Sequence, residues 1–178
     1  LLHTPSNTLV LGDTHIGEED ALNHQGVFVP KFAFEDLYKR TQSVLDETTP
    51  DRIVLNGDVK HNFGRISDDE WDNAFTYVEL LSQYGDISVV RGNHDVLLDP
   101  IAEREGLHVE PYVRLDDILV CHGHERVEAD AYQAASTVVL GHEHPAVTLR
   151  QGERHEQYKA FMKGELDGKT VVIMPSMN

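Results

Sequence analysis

Five short apolar runs, Thr8 to Leu11, Ile53 to Leu55, Ile87 to Val90, Ile118 to Cys121 and Thr137 to Leu140, each lead into a cluster of side chains able to ligate metal. The clusters are Asp13-Thr14-His15, Gly57-Asp58, Gly92-Asn93-His94-Asp95, His122-Gly123-His124 and Gly141-His142-Glu143-His144. Runs of this length read as strands. In an open α/β sheet the crevice outside the carboxyl ends of the strands is where ligands bind. A fold for this chain must therefore bring five strand ends to one place.

The remaining pattern supports that arrangement. Glu18 to Pro30 carries turn and breaker residues and reads as an irregular excursion. Lys31 to Glu47 spaces Phe32, Phe34, Leu37, Tyr38, Val44 and Leu45 as a covering helix. Ser67 with Glu70 resembles a capping box, and Trp71, Phe75, Val78 and Leu80 or Leu81 continue an amphipathic helix to Tyr84. From Leu107 the texture changes to short β-rich runs: Leu107 to Glu110, Tyr112 to Leu115, Ile118 to Cys121, Val138 to Leu140, Ala146 to Leu149 and Thr170 to Met174. Asp167-Gly168 is a hairpin signal. Helix-alternating strands followed by mostly consecutive ones predict two sheets packed face to face with helices outside.

At 178 residues the chain fits a single domain over 1–178, with a natural C-terminal extension an open expectation. The lone Cys121 excludes an internal disulfide and points to a reducing cytoplasm, and the thiol reads as a buried packing residue. No apolar stretch long enough for a membrane span and no signal peptide is visible. Fifteen Lys and Arg against thirty-one Asp and Glu give a net charge of −16, spread along the chain. Dispersed carboxylates imply a solvated surface of the halophilic kind, which should melt at higher temperature as KCl is added. The same field opposes polyanions, because nucleic-acid binding rests on cations that neutralise phosphates.

The clusters carry chemistry when taken together. Two divalent ions about 3.5–4 Å apart can hold a hydroxide, clamp a phosphoryl group and stabilise attacking and leaving oxygens. Such a pair needs a shared carboxylate, for which Asp58 is the best candidate. Asp13 and His15 can turn to one ion, His142 and His144 can serve one ion each, Asn93 offers a neutral oxygen, and His122 completes the set. Each piece alone has a duller explanation: Asp-x-His by chance, Asn-His-Asp as a capped turn, His-x-His as a surface pair. Their joint occurrence after five strands favours a metal centre. His3, His24, His108 and His155 read as surface residues, and Lys60, Arg65, Arg91 and Arg126 as possible phosphate contacts or solvated cations.

In order and type, Asp13-x-His15, Gly57-Asp58, Gly92-Asn93-His94-Asp95, His122 and Gly141-His142-x-His144 resemble the signature of the calcineurin-like metallophosphoesterases. Gly57-Asp58-Val59-Lys60-His61 and Gly141-His142-Glu143-His144-Pro145 look like the archaeal and bacterial predicted-phosphoesterase branch, distantly related to nuclease subunits. The resemblance implies a four-layer α/β/β/α sandwich of two mixed sheets and a site for two divalent metal ions, Mn2+ foremost, with Fe or Zn as alternatives. It places Asp13, His15, Asp58 and His144 on one ion, and Asp58, Asn93, His122 and His142 on the other. His94 would touch the phosphate and protonate the leaving oxygen, with Asp95 orienting its ring. Many relatives carry another residue at His61, whose roles range from orienting Asp58 to touching substrate or capping a helix. His124 can face the metals or turn away.

The function expected is metal-dependent phosphoester hydrolysis, as a phosphodiesterase using a metal-bridging hydroxide, on a small phosphoester or nucleotide. A DNA or RNA nuclease of the same fold is the first alternative, disfavoured by acidity. A non-catalytic scaffold subunit is the second, disfavoured because the ligands all remain. Neither a membrane nor a defined oligomer is implied.

Overall fold

The computed structural model describes residues 1–29, 32–62 and 67–178. Pro30, Lys31 and Arg65, which entered the sequence reading, lie outside the described residues.

The first sheet is built from β1 (Leu2–His3), β2 (Thr8–Leu11), β3 (Arg52–Asn56), β4 (Asp86–Val90) and β5 (His108–Glu110), in that spatial order. β1 runs antiparallel to β2, and the next four are mutually parallel. The second sheet holds β6 (Tyr112–Leu115), β7 (Ile118–Cys121), β8 (Thr137–Leu140), β11 (Met162–Leu166) and β12 (Lys169–Ile173), in the order β11-β12-β8-β7-β6. Its two central pairings, β12 with β8 and β8 with β7, are parallel, and both edges are antiparallel. Between β8 and β11 the chain makes a separate two-stranded ribbon, β9 (Ala146–Gln151) and β10 (Arg154–Lys159). The helices are α1 (Glu18–His24), α2 (Ala33–Thr48), α3 (Asp68–Ser82), α4 (Asp99–Glu105) and α5 (Ala129–Ala134).

Period-two alternation along the strands produces the layers. In the first sheet Leu9, Leu11, Ile53, Leu55 and Val89 face the helices and pack with Leu37, Leu45, Tyr77, Leu80, Leu81 and Ile101. Their neighbours Val10, Val54 and Val90 point the other way and meet Val113, Leu115, Val120 and Val139 of the second sheet, with Met174 between them. The far side of the second sheet, Leu119, Cys121 and Val138, packs on Ala131 and Ala135 at α5. Helices, sheet, sheet, helix: the four expected layers are present. Strands buried on both faces need apolar residues at every position, which is why these runs show no polar alternation.

Several elements differ from the sequence reading. The segment after Gly17 is not wholly irregular, because Glu18-Glu19-Asp20 opens the short helix α1, whose acidic first turn favours the helix N-terminus. Ser67 does cap α3, its hydroxyl accepting from the Glu70 amide at 3.1 Å. Glu70 does not complete a capping box: its carboxylate turns to the Asn62 amide at 3.1 Å and the Asn62 side chain at 2.7 Å. Asp167-Gly168 makes the predicted hairpin, both residues having positive φ (53° and 74°). Cys121 is buried, and burial pushes its thiol up to about 11, far from a nucleophile's range. His3 is not on the surface but buried, with Nδ1 2.6 Å from the Ser6 hydroxyl.

Candidate metal centre

The loops after β2, β3, β4, β7 and β8 converge, and the side chains they carry fall into two groups. Asp13, His15 and His144 offer ligand atoms within 4.8 Å of one another, and so do Asp58, His122 and His142. Asp58 joins the groups. Its Oδ1 accepts from the His94 amide at 2.9 Å, which leaves Oδ2 lying 3.2 Å from His122 Nε2 and 3.8 Å from His15 Nε2. On one side Asp13 Oδ1 is 3.1 Å from His144 Nε2, and His144 Nε2 is 3.3 Å from His15 Nε2. On the other Asn93 Oδ1 is 3.2 Å from His122 Nε2, and the rings of His122 and His142 are 5.2 Å apart.

This arrangement is costly unless a cation sits in it. Burial, with His144 and His94 adding repulsion, holds the His15 imidazole down to about 4, so it is the neutral form that a metal requires. The Nε2 atoms of His15 and His144, 3.3 Å apart, can hydrogen-bond to each other only if one bears a proton and the other a lone pair, whereas a cation is met by lone pairs from both. Burial works against the Asp58 carboxylate, but the His122 ring and the His94 amide outweigh it and bring it to about 2. The donor set of carboxylate, amide oxygen and imidazole, without thiolate, suits manganese, iron or zinc. The residues present fit bound divalent metal.

Backbone strain is concentrated in the same loops. Asp13 (φ 55°), His15 (43°), Asp58 (50°), His142 (63°) and His144 (43°) all adopt the left-handed region that non-glycine residues avoid. Each such residue costs on the order of 1–3 kcal/mol and persists only where its surroundings impose it. Part of the imposition comes from Asp95. Its fully buried carboxylate accepts from the amides of Asp58 (2.9 Å), Val59 (3.0 Å) and Gly92 (2.9 Å), tying the β3 loop to the β4 loop. At Gly92 and Gly57 the loops pass too close for a side chain: a Cβ on Gly92 would lie 2.2 Å from Asp58 Oδ1, and one on Gly57 2.3 Å from His122 Nδ1.

His94 stands beside the first group, its ring 5.0 Å from that of His15. Its Nδ1 lies 2.5 Å from the backbone oxygen of His61. A carbonyl can only accept, so Nδ1 carries the proton and the chemistry of this ring belongs to Nε2. The His61 carbonyl holds the His94 ring at Nδ1, and the Asp95 carboxylate holds loop amides. The His61 ring completes a third close group with His15 and His94. His124 faces the second group, its ring 5.2 Å from His122 and 6.2 Å from His142.

The nearby cations divide. Lys60 cannot reach a phosphate, because it is fully buried and its ammonium donates to the backbone oxygens of His94 (2.8 Å) and Asn62. It clasps the loop carrying His61 to the loop carrying His94, a role the sequence did not disclose. Arg91 is bound to Asp99 at 2.5 Å and to the Asp95 carbonyl at 3.2 Å. Arg126 lines a small cavity with Arg91, His122 and His124. His24, His108 and His155 stand apart from the ligand groups, on the surface.

No helix among the described residues is long and apolar enough to cross a membrane. No curated protein sequence matches the chain. Among solved structures it is similar to the nuclease MPE of Pseudomonas putida, at 19% identity with a TM-score of 0.71, over 97% of this chain and 76% of that one. It is also similar to a protein of unknown function from Aquifex aeolicus, at 18% identity with a TM-score of 0.51, over 77% and 78% of the two chains. These likenesses establish the fold. The model of one family, described as calcineurin-like phosphoesterase, matches residues 6–161, and the chain belongs to that family of metal-dependent phosphoester hydrolases.

Proposed function

We propose that the chain is a phosphodiesterase with a dinuclear site, in which Asp13, His15, Asp58 and His144 hold one divalent ion and Asp58, Asn93, His122 and His142 the other. Manganese is the proposed metal. The observation that carries this reading is the position of Asp58 Oδ2 between His15 and His122, the place a bridging carboxylate must occupy. When bound, such a pair acidifies water toward neutrality and draws charge from phosphoryl oxygens.

The chain's own residues do the rest. Asp95 and Lys60 fix the loops, so the ligands are set before substrate arrives. His94, oriented by the Nδ1 proton it donates to the His61 carbonyl, presents Nε2 to the phosphate and, as the doubly protonated imidazolium, gives the Nε2 proton to the departing alkoxide, ending as the neutral ring. No thiol or serine nucleophile is needed, and Cys121 lies behind the second sheet. The test is hydrolysis of bis(p-nitrophenyl) phosphate by metal-stripped protein: turnover should return with Mn2+ and vanish with chelator. Metal-independent turnover, or none with Mn2+, Fe2+ or Zn2+, contradicts it.

A further inference from the structure

The ribbon β9–β10 springs directly from the loop that carries His142 and His144. Ala146, two residues past His144, opens it, and Lys159 pairs with Ala146 at its base. The Ala160 amide donates to the Pro145 oxygen at 3.0 Å, closing the base against the ligand loop. Beyond that point the ribbon joins neither large sheet, and every one of its strand residues is exposed.

The register sorts its side chains onto two unlike faces, since successive residues alternate and paired residues share a face. One face carries the pairs Val147 with Tyr158, Leu149 with Glu156 and Gln151 with Arg154. Its charges are mutually engaged: Glu156 is 3.4 Å from Arg154 and accepts from the Tyr158 hydroxyl at 2.5 Å. The other face carries Ala146 with Lys159, Thr148 with Gln157 and Arg150 with His155. That face holds cations and hydrogen-bonding groups and no carboxylate, in a chain of net charge −16. At its base the Lys159 ammonium lies close enough to Asp13, Glu18 and Arg40 to interact with their charges, which puts this end of the face beside the candidate metal centre. Arg40 is itself fixed by donating to the Met177 oxygen at 2.7 Å.

We propose that this face of the ribbon binds the phosphate groups that flank the scissile one, with Lys159 at the base and Arg150 and His155 roughly 13 Å farther out. The proposal deepens the phosphodiesterase reading and rests on it. The substrate class it implies is a molecule with phosphates beside the one being cleaved, as in a nucleic-acid strand or a nucleotide with a phosphate chain. Whole-molecule acidity argues against polyanions, but contact is local. Lys159 at the base and Arg150 farther out put two cations on this face, with His155 beside Arg150 as a further hydrogen-bonding group, and a local cluster of this kind attracts phosphate.

The experiment is an anisotropy titration of fluorescein-labelled oligothymidylate at low salt, with inorganic tripolyphosphate as competitor. Wild type should bind, and the exposed double substitution Arg150→Glu with His155→Glu should weaken binding by about tenfold, as should Lys159→Ala. Arg154→Glu, on the opposite face, should change it less than about twofold. Displacement of the oligonucleotide by tripolyphosphate assigns the face to phosphate chains, and failure to displace assigns it to strands. Equal binding by wild type and the Arg150/His155 variant, or no binding of either probe by wild type, overturns the proposal. Hydrolysis of bis(p-nitrophenyl) phosphate, which has one phosphate, reports separately on the metal site.

Discussion

Gly92→Ala tests whether close approach of two loops sets the metal site. Built on the backbone, the added methyl lies 2.2 Å from Asp58 Oδ1 and 2.3 Å from the Asp58 amide nitrogen, where ordinary contact begins at 3.4 Å. The amide is backbone, and the Asp95 carboxylate holds it at 2.9 Å, so no change of rotamer relieves the overlap. The loops must part by about 1 Å, a displacement that at a reacting centre costs on the order of 10²-fold in rate. Overpacking of this size costs about 1–3 kcal/mol, or roughly 2–12 °C in Tm for a domain of this length. The assays are kcat/KM on bis(p-nitrophenyl) phosphate, bound metal per chain, and thermal melting. Gly164→Ala is the control, since nothing lies within 4 Å of its added methyl and its φ is not positive. A Gly92→Ala protein with wild-type turnover and undiminished metal would refute the reasoning.

His94→Ala should keep its bound metal but slow hydrolysis of an alkoxide-leaving diester by about 10²–10⁴-fold; unchanged turnover would remove the ring from the mechanism. Asp95→Asn sets an amide NH2 against at least one of three loop N–H donors. Losing one charge-assisted hydrogen bond costs about 1.5–3 kcal/mol, so Tm should fall by roughly 3–12 °C, and an unshifted melt would contradict the tie between the loops. In the metal-free chain His15 titrates near 4 when folded against 6.5 ordinarily. Below 6.5 the unfolded chain takes up a proton that the folded chain refuses, so stability falls as pH drops from 6.5 toward 4, by at most about 3 kcal/mol. Urea midpoints measured at both ends of that window should show a smaller drop in His15→Gln, and an equal drop would count against it.

The sheets were legible because their strands are buried on both faces, so β2, β7 and β8 stand out as unbroken apolar runs with the ligand clusters just beyond them. Elements lacking that signal were hidden. β1 is two residues long and exists through pairing with β2. α1 hides among Asn23, Gly26 and other turn formers, and β10 has no apolar run because none of the described residues covers it. The candidate ligands were visible as residue types at strand ends. Their supports were not: a partner of the His94 ring is a backbone carbonyl, which no side-chain pattern encodes, and the buried Lys60 is held by the backbone oxygens of His94 and Asn62. Net charge averages over a ribbon whose two faces differ, which only the strand register displays.

The account turns on two ions sharing Asp58. Anomalous scattering from crystals grown with Mn2+ should show two peaks about 3.5–4 Å apart on either side of Asp58 Oδ2. One should adjoin Asp13, His15 and His144, and the other Asn93, His122 and His142. A single peak bound by one group alone, or two peaks with Asp58 touching neither, would contradict it.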